Sequence, residues 1–166
     1  MATFTLQGNE THTNGDMPAI GSDAPDFHLV TTKMQDVRLA DYQGRKKLLD
    51  IVASLDTGIC VTSAKKFGEA LKGRDDVVAL VVSADLPFAQ QRACTAEGVE
   101  NVELLSMMRT RAFAKDYGVL ITDGPLAGLA ARSVVIIDEN DKVTYTQLVP
   151  ELSTEPDYEA ALAALK

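Results

Sequence analysis

The chain has 166 residues, 46% of them hydrophobic and 24% charged, a length and composition that suit one domain and exclude intrinsic disorder and collagen-like architecture. Twenty-four acidic residues against sixteen basic ones give a formal net charge of −8, which opposes attraction to phosphate backbones and anionic membrane surfaces. The two cysteines, Cys60 and Cys94, are too few for a disulfide scaffold or a four-thiolate zinc site, leaving redox chemistry or core packing as shared roles.

The basic residues are dispersed. Their densest runs, Arg45-Lys46-Lys47 and Lys65-Lys66, carry no interleaved aromatic residues and read as solvated surface, so nucleic acid is not an expected partner. Residues 1–7 have neither the basic nor the apolar region of a secretory signal, and no stretch approaches the ~18–20 apolar residues that span a bilayer. The expectation is a cytoplasmic protein without a membrane partner, in a compartment where a disulfide is more often transient than structural.

In chain order, apolar–polar alternation from Thr3 to Gln7 and turn signals at Gly8-Asn9 and Asn14-Gly15 predict a β-hairpin within residues 1–16, an appendage to the domain that makes up residues 1–166. Short strands are expected at 27–30 and 37–40. Residues 47–53 form a nearly continuous apolar run, as in a strand covered on both faces, interrupted by Asp50. A helix over 61–71 and a second buried strand over 77–82 complete a strand–helix–strand unit, which requires a right-handed crossover between parallel strands. A helix at 88–96, a strand at 102–105 and a helix at 109–117 follow. The run 132–138 is another strand, and Glu139-Asn140-Asp141 turns it into an antiparallel partner at 143–149. Pro156 is expected to open the last helix, with Tyr158, Ala161, Leu162 and Leu165 as a core-facing stripe. The fold class is α/β, a central mixed sheet flanked by helices.

The informative segment lies between the first buried strand and the first helix, Ser54-Leu55-Asp56-Thr57-Gly58-Ile59-Cys60-Val61-Thr62-Ser63. Thr57 has the residue type of an N-cap, which places Cys60 in the first helical turn. There a sulfur faces unpaired N–H groups and the positive end of the helix dipole, both of which favour negative charge on it. A cysteine beside an apolar strand is also commonly an inert small hydrophobe, so the residues alone leave both readings open.

Asp56-Thr57-Gly58-Ile59-Cys60 resembles the active-site loop of the thiol peroxidase branch of the peroxiredoxins, atypical two-cysteine enzymes that use thioredoxin as reductant. The resemblance continues through Ser83-Ala84-Asp85-Leu86-Pro87-Phe88-Ala89-Gln90, Ala96-Glu97-Gly98, 123–132 and 155–162, and so covers nearly the whole chain. It implies a thioredoxin-like fold and assigns four residues. Cys60 is the peroxidatic cysteine, Thr57 a hydroxyl that bonds the sulfur or a peroxide oxygen, Arg132 the activating cation, and Cys94 the resolving cysteine. A guanidinium keeps its charge at all working pH values and orients oxygen. The implied cycle reduces hydrogen peroxide or an organic hydroperoxide, leaves a Cys60 sulfenic acid, closes a Cys60–Cys94 disulfide and is reset by thioredoxin. A homodimer is implied as well. Because the two cysteines fall on different helices, the reduced form is expected to hold them beyond bonding distance.

Two positions depart from the family pattern. Ala53 stands where its signature has a proline, restoring an N–H donor that needs a partner. Asp50 must be paired, exposed or protonated within an apolar strand; the expectation is a water-accessible edge or a nearby base. Two other readings stay open: a redox sensor or thiol oxidoreductase, which the absence of a Cys-x-x-Cys pair disfavours, and a folded scaffold weakened by Ala53 and Asp50. No cofactor or metal is expected, since His12 and His28 have no ligand spacing. Arg92 and Arg111 rival Arg132, Asp56 and Glu97 are candidate partners for the arginine, and Leu126 with Leu129 is a candidate apolar collar.

Overall fold

A computed structural model describes residues 1–166. Strands β1 (Thr3–Leu6) and β2 (Asn9–His12) form the N-terminal hairpin. Its turn sits one residue earlier than expected, at Gln7-Gly8, where both residues have positive φ and so match the twist of a tight hairpin. The hairpin is bound to the rest of the chain: Phe4 is buried with Ile121, Ala131 and Leu152, and the Glu151 carboxylate accepts from Thr5 Oγ1 and from the Gln7 and Gly8 N–H groups.

The remaining strands are β3 (His28–Thr31), β4 (Asp36–Arg38), β5 (Lys46–Ile51), β6 (Val77–Ser83), β7 (Glu103–Ser106), β8 (Ser133–Ile137) and β9 (Val143–Leu148), in one sheet of order β4-β3-β7-β6-β5-β8-β9. β5, β6 and β7 are parallel, whereas β3, β8 and β9 run antiparallel to their neighbours. The parallel pair β5–β6 is joined through α1 (Gly58–Ala70), as the crossover argument requires. Helices α2 (Pro87–Glu97) and α3 (Ala112–Asp116) follow β6 and β7, and α4 (Tyr158–Ala163) ends the chain. α3 is shorter than the pattern suggests. α4 starts after Pro156, with Asp157 as N-cap accepting from the Ala160 N–H at 3.0 Å; an aspartate satisfies an orphan donor there, which proline cannot.

Strand alternation divides the core. Leu49, Ile51, Leu80, Val82, Val135 and Ile137 face the side closed by Phe27, Phe113 and Tyr117. Leu48, Ala79, Val134 and Ile136 face Phe67 of α1 with Ala161 of α4 and Leu165, as the C-terminal stripe predicts. α1 lies close against the 100–102 segment because Gly68 has no side chain: a Cβ there would stand 2.0 Å from the Glu100 carbonyl oxygen. The same alternation corrects the reading of the Arg45-Lys46-Lys47 run. Lys47 is fully buried, its stem on the face of Leu49 and its ammonium on the Asp141 carboxylate and the Asp138 carbonyl oxygen. No helix is long and apolar enough to cross a membrane.

Candidate active site

Because β8 is antiparallel to β5, its first residues lie beside the C-terminal end of β5, Ser133 opposite Ile51. β5 leads into the 52–57 loop and then α1, while Arg132 immediately precedes β8. Topology thus brings Cys60 and Arg132 together across 72 positions of sequence: Arg132 Nη2 is 3.4 Å from Cys60 Sγ, and both residues are buried. Arg132 is aimed by Nε, which donates to the Leu152 carbonyl at 3.1 Å. Its rivals are engaged elsewhere or exposed: Arg111 donates to the carbonyls of Gly128 and Met107, and Arg92 lies on the surface of α2. Asp56 and Glu97 form no ion pair with any of these arginines.

Thr57 occupies the N-cap position with extended backbone, as expected, and its carbonyl accepts from the Val61 N–H. Its hydroxyl does not cap α1 and does not contact Cys60; it donates to the Ser54 carbonyl at 3.0 Å. No side chain caps the helix, so the first-turn N–H groups around Cys60 are left to a ligand or solvent. Thr57 and Gly58 are exposed, which puts the mouth of the site at the helix start.

The other cysteine lies on α2. Cys60 and Cys94 are both free thiols and both belong to one apolar cluster, with Val52, Leu55, Ala64, Val81 and Leu104. Burial, followed by the nearby Asp85 carboxylate, pushes the Cys94 thiol up to about 11, so at neutral pH it keeps its proton. Cys94 also lines a surface cleft of about 720 Å³ with Tyr42, Gln91, Thr95 and Glu103.

Sequence reasoning missed the residue that ties the two cysteine-bearing segments together. The Asp85 carboxylate, at the β6–α2 junction, accepts from Ser54 Oγ, the Leu55 N–H and Ser83 Oγ, each at 2.7 Å. Ser83 Oγ in turn accepts from Nε2 of the buried Gln90, which also donates to the Leu105 carbonyl. Gln90 lies one turn before Cys94 on α2. A carboxylate between the end of a buried strand and a proline at the start of a helix was the only available signal.

Asp50 contradicts its expectation. It is fully buried, faces α1, and touches no base; its one partner is Ser63 Oγ at 2.8 Å, and Oδ1 has none. Burial raises its carboxyl to about 7 against the opposing effects of the Ser63 hydrogen bond and the Arg132 charge. Ala53 is buried in the loop and its N–H finds no acceptor in the protein. Leu126 and Leu129 pack against the Phe4–Leu152 cluster, which does not contain Cys60. His12 bonds Asp123 at 2.6 Å and His28 bonds Asp36 at 2.7 Å; no group of three metal-ligating side chains forms.

The chain and its fold have counterparts among known proteins. Residues 19–162 match the Redoxin family. The chain is 52% identical over 165 residues to a thiol peroxidase of Corynebacterium glutamicum, and 49% identical over 165 residues to one of Mycobacterium bovis, covering 99% of each partner in both cases. Among solved structures it superposes on a peroxiredoxin-like protein from Aquifex aeolicus with a TM-score of 0.92, at 40% identity over 99% of this chain and 96% of that one. It superposes on a thiol peroxidase from Chromobacterium violaceum with a TM-score of 0.90, at 26% identity and the same coverage. The chain therefore belongs to the Redoxin family, in its thiol peroxidase branch.

Proposed function

We propose that this thiol-dependent peroxidase works through Cys60, that Arg132 and the first-turn N–H groups of α1 stabilise the charge on its sulfur and on the departing oxygen, and that Cys94 resolves the product. The observation that carries the reading is a buried guanidinium 3.4 Å from a cysteine sulfur at the uncapped start of a helix. Donors already aimed at developing charge, in a site shielded from water, need no reorganisation as the reaction proceeds.

In the first step the Cys60 thiolate attacks one peroxide oxygen: the S–O bond forms, the O–O bond breaks, and the second oxygen takes a proton and leaves as water or alcohol. Thr57 turns its hydroxyl from the Ser54 carbonyl to the peroxide. Cys60 is then a sulfenic acid. In the second step the Cys94 sulfur attacks that of Cys60, the S–S bond forms and water departs; in the third, two thiols of thioredoxin take over the disulfide by exchange. A homodimer in the cytoplasm, with thioredoxin as reductant, completes the reading.

The test is peroxide consumption coupled to thioredoxin and its reductase. Cys60→Ser abolishes it. Cys94→Ser consumes about one equivalent of peroxide per chain and then stops, because the sulfenic acid has no resolving partner. A Cys60→Ser protein as fast as the parent overturns the assignment, and a parent with no turnover leaves the weakened-scaffold reading in its place.

A further inference from the structure

Ser63 Oγ lies 2.8 Å from Asp50 Oδ2 and 3.0 Å from the Cys60 carbonyl oxygen. A hydroxyl has one hydrogen and cannot donate fully to both. Both contacts are satisfied together when the carboxyl is protonated: Asp50 donates to Ser63, and Ser63 donates to Cys60. With Asp50 ionised, Ser63 must turn its hydrogen to the carboxylate. The far side of the carboxyl carries a second mismatch. Asp50 Oδ1 is buried with no partner, and so is Arg132 Nη1, on the same guanidinium whose Nη2 faces Cys60 Sγ. The two sit near enough for the Arg132 charge to act on the carboxyl, yet they do not touch.

Few other charges enter this space. α1 contributes Cys60. α4 contributes Tyr158, whose hydroxyl is pushed up by burial and by its bond to Glu155, with a further push from Asp50. Glu155, ahead of α4, is held by Lys66 of α1 and also feels Arg132. The strands on either side present Val81 and Val134 opposite Asp50. Arg132 is the cation that acts on both Asp50 and, through Nη2, Cys60, while Lys66 is engaged with Glu155.

We propose that Asp50 is a positioning residue of the peroxidatic site: its buried carboxyl, seated on Ser63, competes with the Cys60 sulfur for the Arg132 guanidinium. A proton on Asp50 leaves Arg132 wholly to the sulfur. Loss of that proton draws Nη1 toward Oδ1 and opposes negative charge on Cys60. Each ionisation hinders the other by the same factor, as linkage requires, and the site tends to hold one negative charge rather than two. The proposal rests on the Proposed function only for its catalytic consequence; the competition itself is a property of the resting protein.

The test is Asp50→Asn, whose amide can donate to Ser63 as the protonated carboxyl does and which removes the ionisation. In a Cys94→Ser background, alkylation of the remaining thiol by the neutral reagent iodoacetamide is followed from about pH 5 to about pH 9. The ratio of variant to parent rate is expected to stay near one at the acid end and to rise about threefold or more above neutrality, equivalent to about half a pH unit of mutual hindrance. Reciprocally, the carbon-13 signal of the Asp50 carboxyl is expected to titrate at lower pH in Cys60→Ser than in the parent. A rate ratio that is flat with pH, or an Asp50 titration indifferent to Cys60, overturns the proposal and leaves Asp50 a purely structural carboxyl. If both shifts appear but neither protein reduces peroxide, the competition stands and the peroxidase assignment to Cys60 fails.

Discussion

Replacing Asp85 separates the anchoring of the Cys60 loop from the chemistry of its sulfur. The carboxylate accepts three hydrogen bonds at 2.7 Å, from Ser54 Oγ, the Leu55 N–H and Ser83 Oγ. Leu55 and Ser83 are buried, so Asp85→Ala leaves at least two donors without water or protein partners. Hydrogen bonds to a charged acceptor contribute about 1.5–3 kcal/mol each, and the three share one side chain and are not additive. Asp85→Ala is therefore expected to cost about 3–4 kcal/mol, or about 6–16 °C in Tm at about 2–4 °C per kcal/mol for a chain of this size. Asp85→Asn behaves differently. Its oxygen can serve Leu55 and Ser83 while its amide donates to Ser54 Oγ, which already accepts from the Asp56 N–H, and the expected cost falls to about 1 kcal/mol. Urea titration monitored by far-UV circular dichroism measures both variants. Hydrogen exchange then locates the change, which is expected in the 52–60 loop and the start of α2 rather than in β5 or β6. An Asp85→Ala protein that unfolds at the parent's urea midpoint, with unchanged exchange in those segments, refutes the anchoring argument.

Three further outcomes follow from particular contacts. Ala53→Pro removes an N–H that has no acceptor, at a residue whose φ is not positive; thermal melts are expected to show a gain of about 0.4–1 kcal/mol from the stiffer unfolded chain, and a clear loss shows that the loop needs the alanine conformation. Gly68→Ala puts a Cβ 2.0 Å from the Glu100 carbonyl oxygen, and the displacement of either α1 or the 100–102 segment is expected to cost about 1–3 kcal/mol in urea unfolding; parental stability would mean the segment yields freely. The Asp50 carboxyl, raised from 3.8 to about 7 by burial, stays protonated in the folded chain while the unfolded chain ionises. Stability from this group is intact below about pH 4 and declines as pH rises to about 7, by about 4 kcal/mol in all. Asp50→Asn is expected to remove that slope from the unfolding free energy, so a parent and variant with parallel stability–pH curves contradict it.

The central strands and α1 were legible because burial on both faces leaves an apolar run too long to mistake and because the run is followed by a cap residue and a helical spacing. Cys60 was legible as the residue that topology must place at the start of that helix. Arg132 was legible only through the resemblance, since nothing local in Ala131-Arg132-Ser133 announces that β8 will run antiparallel beside β5 and deliver its first residues to the far end of it. The polar residues inside β5 show what local reasoning lacks. Alternation alone puts Lys47 with Leu49 and Asp50 with Leu48, inside the sheet faces, but the partners that make burial tolerable lie far away: Asp141 in the β8–β9 turn for Lys47, and Ser63 on α1 for Asp50. A charge run therefore looked solvated and a lone carboxylate looked peripheral. Asp85 was hidden for the same reason, its donors at Ser54 and Leu55 being about thirty positions away.

Those long-range contacts also give two thiols in one apolar cluster different surroundings. Cys60 faces a guanidinium, and Cys94 faces only burial and the Asp85 carboxylate, which together hold its proton on up to about 11. A thiol that keeps its proton is a poor attacker, which suits Cys94 to the later, resolving step of the proposed cycle. Both causes depend on the seating of α2, which keeps the sulfur buried and near Asp85. The seat itself is the chain of bonds from Ser54 through Asp85 and Ser83 to Gln90, one end of which is the loop that carries Cys60. In the proposed cycle, loosening that loop weakens the hold on α2 and lets Cys94 leave the surroundings that hold its proton. On that reading the order of the proposed steps, attack by Cys60 before resolution by Cys94, needs no switch beyond the carboxylate that anchors both segments.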